Sequence, residues 1–183
     1  LYYSGKVAPS ILRKCNRNDA VIVVQSFSKT YCMTGWRLGW LVGRKDLVCR
    51  ATDLNEFVIS HAPAMAQKAG EVALKDGEPI LEKMVNRLTE NLKVCQKSLR
   101  NIPRITLPET AGSFYLFPRI DGLNDSFGFC KDLLVKTRVG LAPGSAFGEG
   151  GEGSVRLCYA AKTEVLKVAI ERIGNYLEDW NND

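Results

Sequence analysis

Hydrophobic positions along the chain recur in two rhythms. Between residues 79 and 100, Leu81, Met84, Val85, Leu88, Leu92, Cys95 and Leu99 return at steps of three and four, which sets one apolar stripe on a long helix. Such a stripe predicts core or interdomain packing. A final helix over about 163–179 repeats the pattern with Val165, Ala169, Ile173, Tyr176, Leu177 and Trp180. Helices are also predicted over 45–57, over 63–75, where Asp76-Gly77 supplies the stop, and over 125–136. The second rhythm is shorter. The β-branched run Val21-Ile22-Val23-Val24, bounded by Asn18-Asp19, reads as a buried strand of a parallel sheet over 20–26. Further strands are predicted near 38–43, 104–107, 113–118, 138–141 and 154–159. The order is that of an α/β chain in two parts: residues to about 75 carry two sheet strands, and the long helix leads into a smaller α/β domain. The strands at 20–26 and 38–43 have edges that need cover, so the chain by itself is expected to associate or to be disordered there.

The densest chemistry follows the first strand, in SFSKTYCMTGWRLGW over residues 26–40. Ligands of open α/β sheets sit at the carboxyl ends of strands, and Ser26, Ser28 and Lys29 fall at such an end. A lysine amine condenses with a carbonyl to give a Schiff base, and it reacts at neutral pH in a polarised or partly desolvated setting. Arg37 stands eight residues later, with a planar fork suited to a phosphate dianion, and Gly35 and Gly39 let the backbone pass close. A lysine between two hydroxyls and an arginine is equipment for holding an aldehyde and a phosphate together. Farther along come Ala142-Pro143-Gly144-Ser145-Ala146-Phe147-Gly148, a glycine-rich loop, and Ser154-Val155-Arg156-Leu157-Cys158-Tyr159-Ala160. Arg156 lies within an apolar strand, where burying a guanidinium is costly unless a carboxylate meets it.

Together these segments resemble the fold-type I pyridoxal-phosphate enzymes, and among them the class I/II aminotransferases. The signature of that family has the form S-x-S/A-K, a short loop and G-x-R-x-G, with APGxxFG and R-[IL]-x-[FY]-[AS] near the end of the chain. The resemblance implies the C-terminal half of a fold-type I transferase: residues 1–75 as the tail of the large cofactor domain, and 76–183 as the interdomain helix and small C-terminal α/β domain. It implies pyridoxal 5'-phosphate as cofactor and Lys29 as the Schiff-base lysine. Ser26 and Arg37 become ligands of the cofactor phosphate, joined by Ser28 at a position that is serine or alanine in the family, and Arg156 grips the substrate α-carboxylate. The implied activity moves an amino group from an α-amino acid to a 2-oxo acid, in a cytoplasmic enzyme that is a homodimer at full length. A carbon–sulfur β-lyase of the same fold is the alternative. A non-catalytic remnant of the fold is another, against which the intact Lys29, Arg37 and Arg156 speak.

Members of the family are about twice as long, so the chain is expected to be a C-terminal portion that starts at Leu1-Tyr2-Tyr3, just after a D-x-x-Y segment. The glycine-rich phosphate loop, the aromatic residue stacked on the ring and the asparagine near its hydroxyl would then lie upstream, and the portion alone would be inactive. Relatives specific for dicarboxylates use a second arginine in the region matching Glu56 to Ala62. This chain has none there, which weakens a strict aspartate reading.

Composition removes possibilities more than it adds them. The 183 residues are 45% hydrophobic and 25% charged, and no apolar run approaches the ~20 residues of a membrane span; no secretory leader is visible. The 25 basic and 20 acidic side chains are interspersed, which does not indicate a nucleic-acid face. Six cysteines without a C-x-x-C pair, and a single histidine, leave no ligand set for zinc and fit reduced thiols. Gly148 to Gly153 spells G-x-G-x-x-G, but a strand follows where a dinucleotide fold needs a helix, and Glu149 and Glu152 would repel a pyrophosphate. It reads instead as a flexible loop near the substrate entrance. His61 reads as a polar residue at a helix boundary, and Trp36 and Trp40 as packing residues.

Overall fold

A computed structural model of the chain describes residue 3 and residues 8–180, so that Leu1 and Tyr2 of the expected start lie outside the described residues. The chain forms two compact units, Leu1–Val85 and Asn86–Asp183, and the boundary between them falls inside a helix.

In the first unit, β1 (Ile22–Ser26) runs into the single-turn helix α1 (Phe27–Thr30), a 3-10 turn at Thr34–Trp36 and β2 (Gly39–Gly43). Helices α2 (Lys45–Val58), α3 (Ala64–Asp76) and the start of α4 (Glu78–Leu99) follow. The β-branched run does form a strand, but it pairs antiparallel with β2, from Ile22 opposite Gly43 to Ser26 opposite Gly39. Among the described residues β1 therefore meets an antiparallel partner only, and the expected parallel pairing and burial are not met within this chain. The segment Phe27–Leu38 holds only one turn of α-helix, too little to carry the chain back to the starting end of β1, as a parallel crossover requires. Burial differs as well, since Val24 is 73% exposed and Ile22 and Leu41 are also exposed.

What is buried is the connection rather than the strands. Phe27, Met33, Leu38 and Ala66 form the core of this unit, with Tyr31, Ala62, Ala69 and Ala73 against them. Helix α3 presents only small residues at this face, so the β1–β2 connection lies almost on its backbone. A Cβ added to Gly70 would stand 2.6 Å from Leu38 Cδ2 and 3.1 Å from Phe27 Cζ. The glycine stop after 63–75 is present, with Gly77 capping α3 through its N–H to the Ala73 carbonyl.

In the second unit Leu88, Leu92, Cys95 and Leu99 of α4 are buried, whereas Leu81, Met84 and Val85 of the same stripe are half-buried in the first. β3 (Ile105–Thr106) pairs antiparallel with β5 (Arg119–Ile120), a strand too short to show in the hydrophobic pattern. A second antiparallel sheet has the order β4 (Tyr115–Leu116), β7 (Val155–Cys158), β6 (Ala142–Pro143). The strand expected over 138–141 is displaced to 142–143. Helix α5 (Ser126–Thr137) ends with Arg138 in the left-handed conformation at φ 61, its N–H still donating to the Leu134 carbonyl, so the chain straightens only afterwards. Helix α6 (Thr163–Asp179) buries Leu166, Ile170, Ile173, Tyr176 and Leu177, while Val165 is 57% exposed. The predicted inner face is therefore kept from Ile173 to Leu177, and only its first turn departs, with Leu166 buried in place of Val165. Asn91 sits fully buried among the leucines of α4. Its Nδ2 donates to the carbonyls of Tyr159 and Ala161, both at 2.9 Å, and its Oδ1 accepts from Thr163 Oγ1 at 2.8 Å.

Candidate active site

Four of the five candidate residues fall in one hairpin. Ser26 ends β1 in extended conformation and caps α1, its Oγ accepting the N–H of Ser28 at 3.0 Å. That capping bond fixes the start of the turn on which Ser28 and Lys29 stand. Lys29 is exposed, so the desolvated setting suggested by the sequence is not supplied by the described residues. On the returning side, Arg37 follows the 3-10 turn in a left-handed conformation, φ 51 and ψ 45, with Nη1 donating to the Thr34 carbonyl at 3.0 Å. A non-glycine residue there costs roughly 1 kcal/mol, and such conformations concentrate at ligand sites. The N–H of Phe27 donates to the Leu38 carbonyl at 3.2 Å, and Ser26 faces Gly39 across the ribbon, so the Ser26 and Arg37 ends of the connection are held together. Gly39 is required there, because a Cβ on it would stand 2.5 Å from the Gln25 carbonyl oxygen. Trp40 meets the Phe27 ring edge-on at 4.8 Å, in keeping with a packing role, whereas Trp36 is 48% exposed. His61, between α2 and α3, is exposed with Nδ1 2.9 Å from the Ala62 carbonyl.

The fifth residue, Arg156, belongs to the second unit and stands on the middle strand of the β4-β7-β6 sheet. It is half-buried, with Cζ 4.2 Å from the centroid of the Tyr115 ring and 4.4 Å from that of Phe147. Among the described residues no carboxylate pairs with it. Two aromatic rings hold the cation at this site, where an acid would have neutralised it. Tyr115 is fixed opposite Cys158 by strand pairing, and Tyr159, fully buried, donates its hydroxyl to the Ser113 carbonyl at 3.2 Å.

Phe147 closes the turn that precedes the glycine-rich loop, and that loop folds into a second turn against the first. Two 3-10 turns, Gly144–Phe147 and Glu149–Gly151, lie against each other so tightly that a Cβ on Gly144 or Gly151 would run into the other's carbonyl. Glu152 then accepts the N–H of Ser126 at 2.8 Å and of Gly153 at 2.9 Å. Its carboxyl is held below the usual carboxylate range, first by the Gly153 N–H and then by the N–H and hydroxyl of Ser126. Tyr115, Phe147, Glu152 and Asn91 are the residues that motif reading missed. The first two could have been suspected as aromatics inside the same two segments, but their meeting at Arg156 depends on strand pairing across distant positions. All six cysteines are free thiols, and burial pushes Cys95 and Cys130 up to about 11. No group of metal-binding side chains occurs among the described residues.

Residues 2–173 match the family described as aminotransferase class I and II. An aspartate aminotransferase of Pyrococcus horikoshii is 42% identical over 163 residues, which are 87% of this chain and 42% of that protein. An LL-diaminopimelate aminotransferase of Maridesulfovibrio salexigens is 36% identical over 174 residues, 94% of this chain and 45% of that protein. The crystal structure of an aromatic aminotransferase from Pyrococcus horikoshii superposes with a TM-score of 0.90 at 32% identity, covering 97% of this chain and 48% of that one. The chain thus spans less than half the length of these relatives, and its α/β fold is part of a fold-type I transferase. It belongs to the class I and II aminotransferases.

Proposed function

We propose that the chain is the lysine-bearing and carboxylate-binding part of a pyridoxal-phosphate-dependent aminotransferase that moves an amino group from an α-amino acid to a 2-oxo acid. The observation that carries this reading is the hairpin of the first unit, which gathers an amine, two hydroxyls and a guanidinium between Ser26 and Arg37. Enzymes of this family use pyridoxal 5'-phosphate, and that donor set fits it: Lys29 for its aldehyde, Ser26, Ser28 and Arg37 for its phosphate. When bound, the cofactor supplies an electron sink for charge developing at the substrate Cα.

The chain's own residues divide the remaining work. Lys29 Nζ would hold the cofactor aldehyde and, when free, would act as the base that moves the proton of the substrate Cα. Arg156 would receive the substrate α-carboxylate in a bidentate contact and so orient the amino acid. The relatives are named for aspartate, LL-diaminopimelate and aromatic substrates, which share that carboxylate and differ in the side chain. Transfer is preferred to β-elimination because these relatives are named aminotransferases.

We assign residues 1–75 to the tail of the large cofactor domain and 76–183 to the interdomain helix and small domain of a cytoplasmic homodimer. Large apolar side chains exposed on α2 and α3, among them Leu54, Phe57 and Met65, support a subunit interface. No helix among the described residues is long and apolar enough to cross a membrane.

The test is Lys29→Ala in the full-length enzyme, incubated with pyridoxal phosphate, reduced with borohydride and mapped by peptide mass. Wild-type protein is expected to carry the phosphopyridoxyl mass on the peptide containing Lys29. The variant should carry none and lose transamination while its circular dichroism is unchanged. Normal turnover by the variant would remove Lys29 from its role.

A further inference from the structure

We propose that Glu152 is a positioning residue for Arg156: it ties the glycine-rich loop to the start of α5 and thereby sets Phe147 against the guanidinium. The proposal rests on the assignment of Arg156 to the substrate carboxylate. A short chain of contacts carries it. The Glu152 carboxylate accepts the backbone N–H of Ser126 at 2.8 Å, and the buried Ser126 Oγ lies 3.1 Å from Glu152 Oε2. The same hydroxyl accepts the N–H of Ser145 at 3.1 Å and lies 3.0 Å from Ser145 Oγ. Ser145 belongs to the turn Gly144–Phe147, whose last residue is Phe147.

Phe147 needs such an anchor more than Tyr115 does. Tyr115 is held by the pairing of β4 with β7, whereas Phe147 is 48% exposed and is set by its loop, with one edge contact to Phe117 at 5.8 Å. With both rings in place, the guanidinium gives up side-chain freedom before a carboxylate arrives, and its N–H edges stay available for two parallel bonds. The predicted consequence is a weaker grip on carboxylates when the anchor is cut, without a change in the chemistry at Lys29.

The positioning is read by NMR of the arginine side chains in the full-length enzyme, with the Arg156 signal identified by its loss in Arg156→Lys. Protons above an aromatic face are shifted upfield. Phe147→Ala should remove part of that shift, Glu152→Ala should remove the same part, and the double variant should add nothing. Glu152→Gln keeps one acceptor oxygen and should fall between, and it carries the test if the alanine variant does not fold. An Arg156 signal unmoved by either Glu152 variant, or changes that simply add, would overturn the proposal.

In the full-length enzyme, Glu152→Ala should raise KM for the amino acid about tenfold, the size of one side chain's ordering entropy. Turnover of an amine lacking the carboxylate should not change; equal loss for both substrates would also overturn the proposal. If Arg156→Lys left carboxylate binding intact, the parent assignment of Arg156 would fail, and the NMR comparison would still decide what Glu152 does.

Discussion

Around Lys29 the described residues bury Phe27, Met33, Leu38 and Ala66, and the β1–β2 ribbon stays exposed. Arg156, by contrast, stands on the middle strand of a sheet within a unit that buries residues from α4, α5, α6, β4 and β7. The surroundings of the two candidates are held by different means. Around Lys29 the means are backbone devices: a serine cap, a left-handed arginine and a glycine under a carbonyl. In the unit of Arg156 they are side-chain networks, in which Asn91 ties α4 to the end of β7 and Glu152 ties a loop to α5. Damage should follow that division. Loss of buried polar partners should hurt the second unit most.

The largest expected effect would break the comparison at its functional level. Arg37→Lys in the full-length enzyme should weaken pyridoxal phosphate binding roughly a hundredfold, the loss of a charged hydrogen bond, and barely alter amino-acid affinity in protein saturated with cofactor. Arg156→Lys should do the reverse. Titrations of cofactor and of a non-reacting carboxylate analogue measure both, and equal losses in both variants would erase the division of labour.

Next in size is Asn91→Leu. Two carbonyls and a hydroxyl would lose their partner inside a buried site, at a cost of about 2 kcal/mol. Urea unfolding followed by amide exchange should place the loss in residues 86–180, with the β1–β2 amides unaffected. Destabilisation shared evenly by both units would contradict their separate construction.

Much of this could be read from the residues in order. The helices of both units stand near their predicted bounds, because a helix is held by neighbours in sequence and its apolar stripe repeats over many turns. The motif around Lys29 was legible for a similar reason, since Ser26, Lys29 and Arg37 stand within one connection of the chain. Strand direction was not legible, because Val21-Ile22-Val23-Val24 has the same composition in a buried parallel strand and in an exposed antiparallel ribbon. Two-residue strands such as Arg119–Ile120 exist only through their partners. Asn91 interrupts no pattern, and the partner of Glu152, Ser126, lies 26 positions away, beyond the reach of any local pattern.

A smaller effect is expected from Gly39→Ala, which sharpens the cofactor side of the comparison. The added methyl would meet the Gln25 carbonyl, a backbone atom that cannot step aside as a side chain does. Strain of about 1–3 kcal/mol should loosen the ribbon next to Ser26. Gly35→Ala is the control, because nothing lies within 4 Å of its added Cβ. Faster amide exchange in β1 and β2 of Gly39→Ala, with Gly35→Ala unchanged, is the expected pair of results.

The smallest effect is acid sensitivity on the substrate side. The folded state depresses the Glu152 pKa, chiefly through the Gly153 N–H, while Asp125 opposes the shift. Cys130, across α5, has its own pKa raised by burial and by the Glu152 charge, and the Arg119 guanidinium lies alongside Gly153. A group whose folded pKa lies below its unfolded value stabilises the fold above the unfolded value, and that contribution is lost as pH falls through the folded one. From neutrality to about pH 5 the Arg156 signal and the unfolding midpoint of the second unit should therefore hold steady, and both should begin to move below about pH 4. Phe147 should leave the guanidinium first, because its loop depends on the titrating carboxylate while Tyr115 depends on strand pairing. In Glu152→Gln the acid-dependent part of the Arg156 shift should be absent. A wild-type acid response that persists unchanged in that variant would assign it to another carboxylate, with Asp132, depressed by Lys136 and Tyr176, the next to replace.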